Sequence, residues 1–384
     1  MYTTIYHHLY ISMHFTLQLT IFFLSVIFTH SVFAAVEDTA IEQADTARSI
    51  NAMEINPPGA WIPVPIPVSN PTIGTGLQAA LLYLHPKAIE GDDVPNATSG
   101  ILGMYTDTES WLTGAFHDGN LYNDQYRFRM FVATGEFNLD FYGIGSDSIL
   151  RNNPIPYNIT SDVLYSQLLR EYPGGTDWYF GLRYMYSNSN LSFGNAYPSL
   201  PPISSNMITS SLGLMTTHDN RDDNYYPTTG ANFELVFMRD SEDWGSDFDF
   251  DKIELDYSHY FTLTSKNVLA MKIDFAKASG NIPFYLLPTL NMRGFPIGLY
   301  KNKTSLSTHA EWRHKLNSRW GFIMFYETGS TADSSNDLFD IQTINAYGGG
   351  IRWQVTKDKK LNLGIDVGYS DDNSAIYVQV GEKF

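Results

Sequence analysis

The feature of this sequence that most restricts its fold is a side-chain alternation with a period of two, repeated in short segments. In the segment 361–370, alternate positions are apolar and the positions between them are polar or glycine. The apolar positions are Leu361, Leu363, Ile365, Val367 and Tyr369. Successive side chains of a β-strand point to opposite faces, so the pattern indicates strands with one apolar and one polar face.

Segment length and aromatic residues favour a transmembrane barrel over a soluble β-sandwich, which would show the same period. The segments are about 10 residues long, the length of a tilted strand that crosses a bilayer. The chain has 25 Tyr and 24 Phe, and aromatic residues recur near segment ends, as in interfacial girdles. Arg127 and Arg129 fall on the polar face, which faces the lumen of a barrel. We therefore predict an all-β fold, a single transmembrane antiparallel β-barrel.

The number of segments supports a closed barrel. We count sixteen, an even number as closed bacterial barrels require. The predicted strands are 73–84, 99–107, 110–118, 123–133, 137–143, 158–170, 177–190, 206–218, 230–240, 249–263, 267–278, 304–316, 319–330, 342–356, 359–370 and 374–384. Short turns alternate with long loops, and we assign the short turns to the periplasmic side and the long loops to the outside.

The N-terminal region has the composition of an exported protein. The first 34 residues carry no Asp, Glu, Lys or Arg, and their apolar stretch ends in Val32-Phe33-Ala34, so we predict a signal peptide over 1–35. An uncleaved anchor helix is the alternative, because basic residues are missing before the apolar stretch. Residues 36–71 are acidic and then proline-rich, which disfavours a helix or central strand. We predict an extended periplasmic lead-in there and the barrel over 72–384.

Charge and motifs exclude several function classes. The net charge of -17 would repel nucleic acid, so no nucleic-acid partner is expected. The chain has no Gly-x-Ser-x-Gly nucleophile elbow, and we expect no enzyme and no cofactor. Asp243, Asp247, Asp249 and Asp251 could hold a divalent cation. Their irregular spacing favours a solvated acidic loop, so no metal site is predicted.

The loop between the eleventh and twelfth predicted strands carries the motif Met292-Arg293-Gly294-Phe295-Pro296-Ile297-Gly298. This motif resembles the tip of an extracellular loop in the outer-membrane superfamily of BamA, TamA and the two-partner secretion transporters, the bacterial surface antigen barrels. In that family the loop folds back into the lumen, between the eleventh and twelfth of sixteen strands. The resemblance implies an inward-folded loop here. Its motif residues would be Met292, Arg293, Gly294, Phe295 and Gly298.

Two further motifs resemble the last strands of this family. Phe325-Tyr326-Glu327-Thr328-Gly329 resembles its Phe-x-acid-x-Gly strand, and Asp366 lies in a segment that resembles its fifteenth strand. The resemblance implies that Phe325, Glu327, Gly329 and Asp366 are lumen partners of the loop. The alternation also places Glu327 and Asp366 on the lumen face, where a buried guanidinium needs carboxylates. The alternative is that Arg293 is a surface arginine in water.

A turn motif and the C-terminus complete the resemblance. The motif before the ninth strand, a periplasmic turn in this family, comprises Asp219, Arg221, Asp222, Pro227 and Gly230. The terminal Phe384 resembles the signal read by the barrel-assembly machinery. Ile376, Val378, Val380 and Phe384 share one face, and Glu382 interrupts this stripe at an interfacial depth that tolerates charge.

The predicted function follows from the resemblance. Family members that insert or secrete proteins carry periplasmic POTRA domains, and 36–71 is too short for a folded domain, so the chain resembles the barrel-only branch. We expect insertion or translocation of protein or lipid in the outer membrane of a Gram-negative bacterium. The route would be a seam between the first strand, Ile73 to Leu84, and the last, Ser374 to Phe384.

A second function fits the same sequence. The alternative function is a passive pore or a structural barrel. Expected partners are outer-membrane lipids, the barrel-assembly machinery during biogenesis, and a periplasmic or outer-membrane partner protein.

Overall fold

The computed structural model describes residues 59–86, 97–122, 124–145, 147–174, 177–193, 204–355, 361–370 and 373–384. The predicted signal peptide and residues 36–58 of the predicted lead-in lie outside these ranges. Sixteen strands form one closed antiparallel barrel in which each strand pairs with its neighbours in sequence and the first pairs with the last. This confirms the predicted fold class. Among the described residues, no helix has the length and apolar character needed to cross a membrane.

The strands follow one another with few other elements, namely four described 3-10 helices of three residues each. Their bounds are β1 Ala60–Asn70, β2 Gly74–Leu84, β3 Thr98–Thr106, β4 Trp111–Leu121, β5 Tyr126–Phe141, β6 Ile155–Glu171, β7 Trp178–Ser192, β8 Ser204–Asp219, β9 Gly230–Asp240, β10 Phe250–Thr264, β11 Asn267–Gly280, β12 Thr304–Lys315, β13 Trp320–Ala332, β14 Ile344–Gln354, β15 Asn362–Ser370 and β16 Asn373–Val380.

Burial along the strands follows the alternation of the sequence. In β15, Asp366 and Ser370 are buried in the lumen, whereas Ile365 and Tyr369 are exposed on the outward face. Many of the charged side chains in the lumen form ion pairs, which offset the cost of their burial. Examples are Arg183 with Glu234 at 2.9 Å and Lys272 with Asp256 at 2.6 Å. The outward face is therefore apolar. The lumen is polar along strands such as β12 and β15, but inward side chains of β2 to β5 form a buried apolar cluster that includes Leu82, Leu102, Leu112 and Phe131.

Two predicted segments belong to a single strand. Residues 123–133 and 137–143 were expected to be separate, but β5 runs through Thr134, Gly135 and Glu136, which pair with β4 on one side and β6 on the other. The glycine does not interrupt the strand, because the ladder bonds of both neighbours fix its backbone. Sixteen is still the right number, because one strand was missed elsewhere.

The missed strand is β1, which lies in the segment predicted to be the lead-in. The barrel thus begins at Ala60 and not at residue 72, and the first strand of the seam is β1 and not 73–84. Pro63, Pro65 and Pro67 led to this error, because proline cannot donate to a ladder. Their spacing of two explains why a strand still forms: all three nitrogens point to the same side, away from β2.

The pairings of β1 with its two neighbours are very unequal. With β2 the register is continuous over all eleven residues, from Ala60↔Leu84 to Asn70↔Gly74. With β16 the described residues give one registered pair, Ser69↔Val378. We call this joint between β1 and β16 the seam.

The two faces predict a depth-dependent response to charge. Leu214, in β8, is 63% exposed on the outward face, and Leu263, at the end of β10, is 57% exposed. We expect Leu214→Arg to destabilise the barrel in lipid vesicles by about 2–4 kcal/mol and Leu263→Arg by about 0–1 kcal/mol, because only the first lies deep in the apolar band. Urea unfolding followed by tryptophan fluorescence measures both. Equal losses would contradict the assignment of the outward face to lipid.

Candidate functional site

The loop 281–303 between β11 and β12, here called the inward loop, folds into the lumen. It forms a narrow hairpin, in which Leu290 N–H donates to the Tyr300 carbonyl at 3.0 Å and Asn302 N–H to the Pro288 carbonyl at 3.0 Å. Leu290, Met292 and Phe295 are buried. The loop therefore presents the segment 291–298 as its tip.

Arg293 at this tip is 2% exposed and contacts three carboxylates. Its Nε lies 2.8 Å from Glu327 Oε1, and its Nη1 lies 2.8 Å from Glu311 Oε2 and 3.0 Å from Asp366 Oδ2. The Arg293 backbone N–H also donates to Glu327 Oε2 at 2.6 Å. Because the acids come from β12, β13 and β15, one side chain ties the inward loop to three strands.

The Phe-x-acid-x-Gly segment of β13 supplies three different features to the loop. The guanidinium carbon of Arg293 lies 3.4 Å from the centre of the Phe325 ring, a cation–π geometry. Glu327 supplies the carboxylate. At Gly329 an added Cβ would lie 2.9 Å from Leu290 Cδ2 and 3.1 Å from Met292 Sδ, so the missing side chain makes room for the loop.

Two glycines allow the loop backbone to approach the wall. Gly294 has φ +102°, and a Cβ there would lie 2.9 Å from the carbonyl carbon of Tyr369. A Cβ at Gly368 in β15 would lie 2.8 Å from Gly294 N. Gly294 N–H donates to Tyr377 Oη of β16 at 2.9 Å. Gly298 also has positive φ, +89°, which lets the chain turn back after Phe295.

Three more cations surround the acids that hold Arg293. Arg313 Nε lies 2.9 Å from Glu311, Arg352 pairs with both Asp366 and Glu382, and Lys383 Nζ lies 3.2 Å from Glu327. Four cations thus face four carboxylates, which offsets the cost of burying either set. Burial opposes the charged form of Arg293, but Glu327, Glu311 and Asp366 outweigh it and hold its pKa above the ordinary value.

The last four residues turn into the lumen and join this cluster. Gly381 has φ +84° and donates to the Asn362 carbonyl at 2.6 Å. Glu382 is buried and accepts from Arg352 Nε at 2.7 Å. Burial lowers the pKa of Lys383 to about 8 although Glu327 opposes this shift. The Phe384 carbonyl accepts a hydrogen bond from Arg313.

This path corrects the expectation for the C-terminus. Ile376 is exposed outward as predicted, but Glu382 and Phe384 do not continue that stripe, because the turn at Gly381 diverts the chain. Glu382 is tolerated because it pairs with Arg352, and interfacial depth is not needed to explain it. The role of Phe384 in assembly stays a prediction.

The turn motif between β8 and β9 is held by its own side chains. Asp219 accepts from Arg221 at 2.8 and 2.6 Å, and Asp222 accepts from the backbone N–H of Thr228 at 2.7 Å. Gly230 has φ +93° and packs against the Asn220 carbonyl. The Pro227 carbonyl accepts from Arg313 at 3.4 Å. The turn therefore reaches the charge cluster at the barrel end that holds the C-terminus.

Sequence reasoning named some of these residues and missed others. It singled out Arg293, Glu327 and Asp366, which the structure brings together. It did not connect Glu311 with Arg293, although the same alternation carried that signal. Arg352, Tyr377 and Lys383 were missed because their contacts depend on how β16 and its tail are placed.

The acidic residues 243–251 do not form one group. Asp249 and Asp251 pair with Arg239 at 3.2 and 3.1 Å, and Asp247 accepts from Ile208 N–H at 2.6 Å. Among the described residues, no group of three or more His, Asp or Glu side chains is arranged to hold a metal ion.

A sixteen-strand antiparallel barrel with an apolar outward face and an arginine-held inward loop is a barrel of the outer-membrane type. Residues 115–356 match the family model of the Omp85 superfamily domain, and the chain belongs to that superfamily. The resemblance inferred from the loop and strand motifs is thereby confirmed. No protein with curated annotation matches the chain by sequence.

Solved structures show the same fold at low sequence identity. BamA from Haemophilus ducreyi lacking POTRA domains 1-3 is similar with a TM-score of 0.60 and 13% identity, over 84% of this chain and 70% of that one. CdiB from Acinetobacter baumannii has a TM-score of 0.56 and 11% identity, over 85% of this chain and 60% of that one. CdiB from Escherichia coli gives 0.56 and 11%, over 85% and 62%. The chain thus spans less than two thirds of either CdiB.

The Arg293 contacts predict a large loss on truncation. We expect Arg293→Ala to destabilise the barrel by about 3–5 kcal/mol, because it leaves buried carboxylates short of a cation. Arg239 also contacts two aspartates, but its side chain is 41% exposed, so Arg239→Ala should cost less than about 1 kcal/mol. Urea unfolding in lipid vesicles gives both values. Similar losses for the two variants would show that burial adds nothing to the Arg293 contacts.

The close approach at Gly294 predicts a second difference. Gly245 has a similar φ of +95° but nothing within 4 Å of an added Cβ, so Gly245→Ala should cost about 1–2 kcal/mol from backbone strain alone. Gly294→Ala should cost more and expose the inward loop to trypsin, because its Cβ would press on β15. The cleavage rate after Lys301 reports loop release. If both alanine variants resist trypsin equally, the contact with β15 does not hold the tip.

Proposed function

We propose that this barrel inserts or translocates a substrate at the outer membrane of a Gram-negative bacterium, through the seam between β1 and β16. The observation that carries the proposal is the single registered pair Ser69↔Val378, whereas β16 pairs with β15 along its whole length. Two hydrogen bonds of such a pair are worth roughly 1–3 kcal/mol in total. Opening the seam therefore costs less than opening any other described joint of the barrel.

The inward loop lies against both sides of the seam. Ile297 N–H donates to Thr72 Oγ1, in the turn after β1, at 2.8 Å, and Gly294 N–H donates to Tyr377 of β16. A cavity of about 110 Å³ lies between the loop and the two strands. Release of the tip would therefore remove contacts that hold β1 and β16 together, so loop movement and seam opening are coupled.

Membership of the Omp85 superfamily and the fold shared with BamA support the membrane and the orientation that we propose. The barrel end with the C-terminus would face the periplasm, and the inward loop would start from the outside. A periplasmic or outer-membrane protein would present the substrate to the seam, and the barrel-assembly machinery would act during biogenesis. The proposal assigns no catalytic step to the chain.

A passive pore or structural barrel is the second candidate. The polar lining of part of the lumen favours it, since ionisable residues such as Lys252, Glu254 and Asp256 are buried there. The inward loop and its ion pairs occupy part of this lumen, however, which disfavours a steady open channel.

A disulfide across the seam tests the proposal. The chain has no cysteine, so Ser69→Cys with Val378→Cys creates one defined crosslink, and Thr113→Cys with Thr134→Cys gives a control between β4 and β5. In a strain that depends on this chain for outer-membrane integrity, the seam pair should fail to complement until a reductant is added. The control pair should complement throughout.

The opposite result favours the second candidate. If the oxidised seam pair complements fully, and planar-bilayer recordings show a steady conductance that Arg293→Ala leaves unchanged, the barrel is a passive pore.

A further inference from the structure

The edge of β1 that faces the seam lacks most of its hydrogen-bond donors. In an antiparallel strand, alternate residues bond to alternate neighbours. Because the ladder with β2 is unbroken, its donors must be the even-numbered residues of β1, and the odd-numbered residues face the seam. Three of the odd positions are Pro63, Pro65 and Pro67. This edge therefore offers carbonyl groups with N–H donors only at Trp61 and Ser69.

Such an edge cannot template an incoming strand. Strand addition needs alternating donors and acceptors along the edge, and Ser69 already pairs with Val378. Proline on an edge strand is a known means of blocking edge-to-edge pairing. The three prolines thus keep β1 from closing against β16 along its length and equally from pairing with a foreign strand.

The part of β1 before Pro67 has no described strand opposite it on the seam side. The register of Ser69↔Val378 would place Pro67 opposite Val380, where β16 ends, and Gly381 then turns the chain into the lumen. Between residues 60–66 of β1 and the inward-turned residues 381–384, the seam is therefore open.

The chemistry of this opening suits an apolar chain. The cavity at the seam is lined by the apolar side chains of Ile66, Val68 and Ile297. Its polar groups include Lys383, whose ammonium donates to Glu327 and to the Asn291 carbonyl. An acyl chain needs no hydrogen bonds from the edge of β1, whereas a polypeptide strand leaves its own N–H and C=O groups unpaired there, at a high cost in an apolar medium.

We propose that the seam of this barrel admits the acyl chains of a membrane lipid and does not template β-strands. This inference rests on the proposed function and names its substrate class. The proline edge of β1 excludes strands, and the apolar lining from β1 and the inward loop receives the acyl chain.

Photo-crosslinking in reconstituted vesicles tests the substrate class. The barrel carries p-benzoylphenylalanine at Val68, in the seam cavity, or at Val163, an equally buried valine of β6 that lines a different lumen cavity. The vesicles contain only phosphatidylethanolamine and phosphatidylglycerol. Mass spectrometry should find acyl-chain adducts at Val68 about tenfold above those at Val163, since of these two positions only Val68 lies at the seam. Equal yields at the two sites would overturn the proposal.

A second arm adds a strand as competitor. A synthetic peptide with the sequence of residues 373–384 matches the natural neighbour of β1. The wild-type edge should give no peptide adduct at Val68. The triple variant Pro63→Val, Pro65→Val, Pro67→Val recovers three donors and should capture the peptide, with about a tenfold loss of lipid adduct. Peptide capture by the wild-type edge would overturn the proposal, and this arm does not depend on the folding of the triple variant.

The seam disulfide separates the two proposals. If Ser69→Cys with Val378→Cys blocks complementation and Val68 captures peptide in place of lipid, the seam function stands and the lipid assignment is wrong. If the disulfide has no effect on complementation, the seam function is wrong and the lipid assignment is overturned with it.

Discussion

The structure depends most on one buried guanidinium. Arg293 carries its charge to a buried position in the lumen, and it remains there because Glu327, Glu311 and Asp366 accept from it. Each acid belongs to a different strand, so the arginine fixes the position of the inward loop relative to the wall. Removing one partner of such a cluster is far more costly than the net gain of forming it. The cluster therefore specifies a single loop position more than it adds stability.

The wall of the barrel is shaped to receive this loop. The missing side chains of Gly329 in β13 and Gly368 in β15 let the tip of the inward loop approach these strands closely. The missing side chain of Gly350 in β14 makes room for the Asp366 side chain. The same strands supply the ring and two of the three carboxylates that hold Arg293, and β12 supplies the third. A tip held this way also contacts the turn after β1 and Tyr377 of β16, so the Arg293 cluster lies beside the joint of the sheet that has one registered pair. In the function that we propose, one event would release both.

Much of the site was accessible from sequence because it depends on local rules. The alternation of period two fixes which side chains of a strand share a face, and this placed Glu327 and Asp366 inside before any contact was known. The tight turn at Gly294 follows from a backbone that only glycine adopts readily. The motif order along the chain indicated the family and the loop that folds inward.

Other features could not be predicted from the sequence, because they depend on contacts between residues that are distant in sequence. Prolines in β1 argue against a central strand. The pairings show why a strand still forms here, because β1 is fully paired with β2 on one side and has one registered pair with β16 on the other. The inward turn at Gly381 was likewise not predicted from the sequence, so Glu382 and Lys383 were not expected in the lumen. A local pattern reports the two faces of a strand but not which of its edges is paired.

The sequence by itself determined the fold class and the lumen face of strands such as β13 and β15, because the alternation of side chains acts residue by residue. Only the tertiary structure decided where the barrel begins, which acids share Arg293 and how weakly β1 meets β16. Closing a sheet brings its two ends together, and the number of hydrogen bonds formed there depends on the register of all the strands between them.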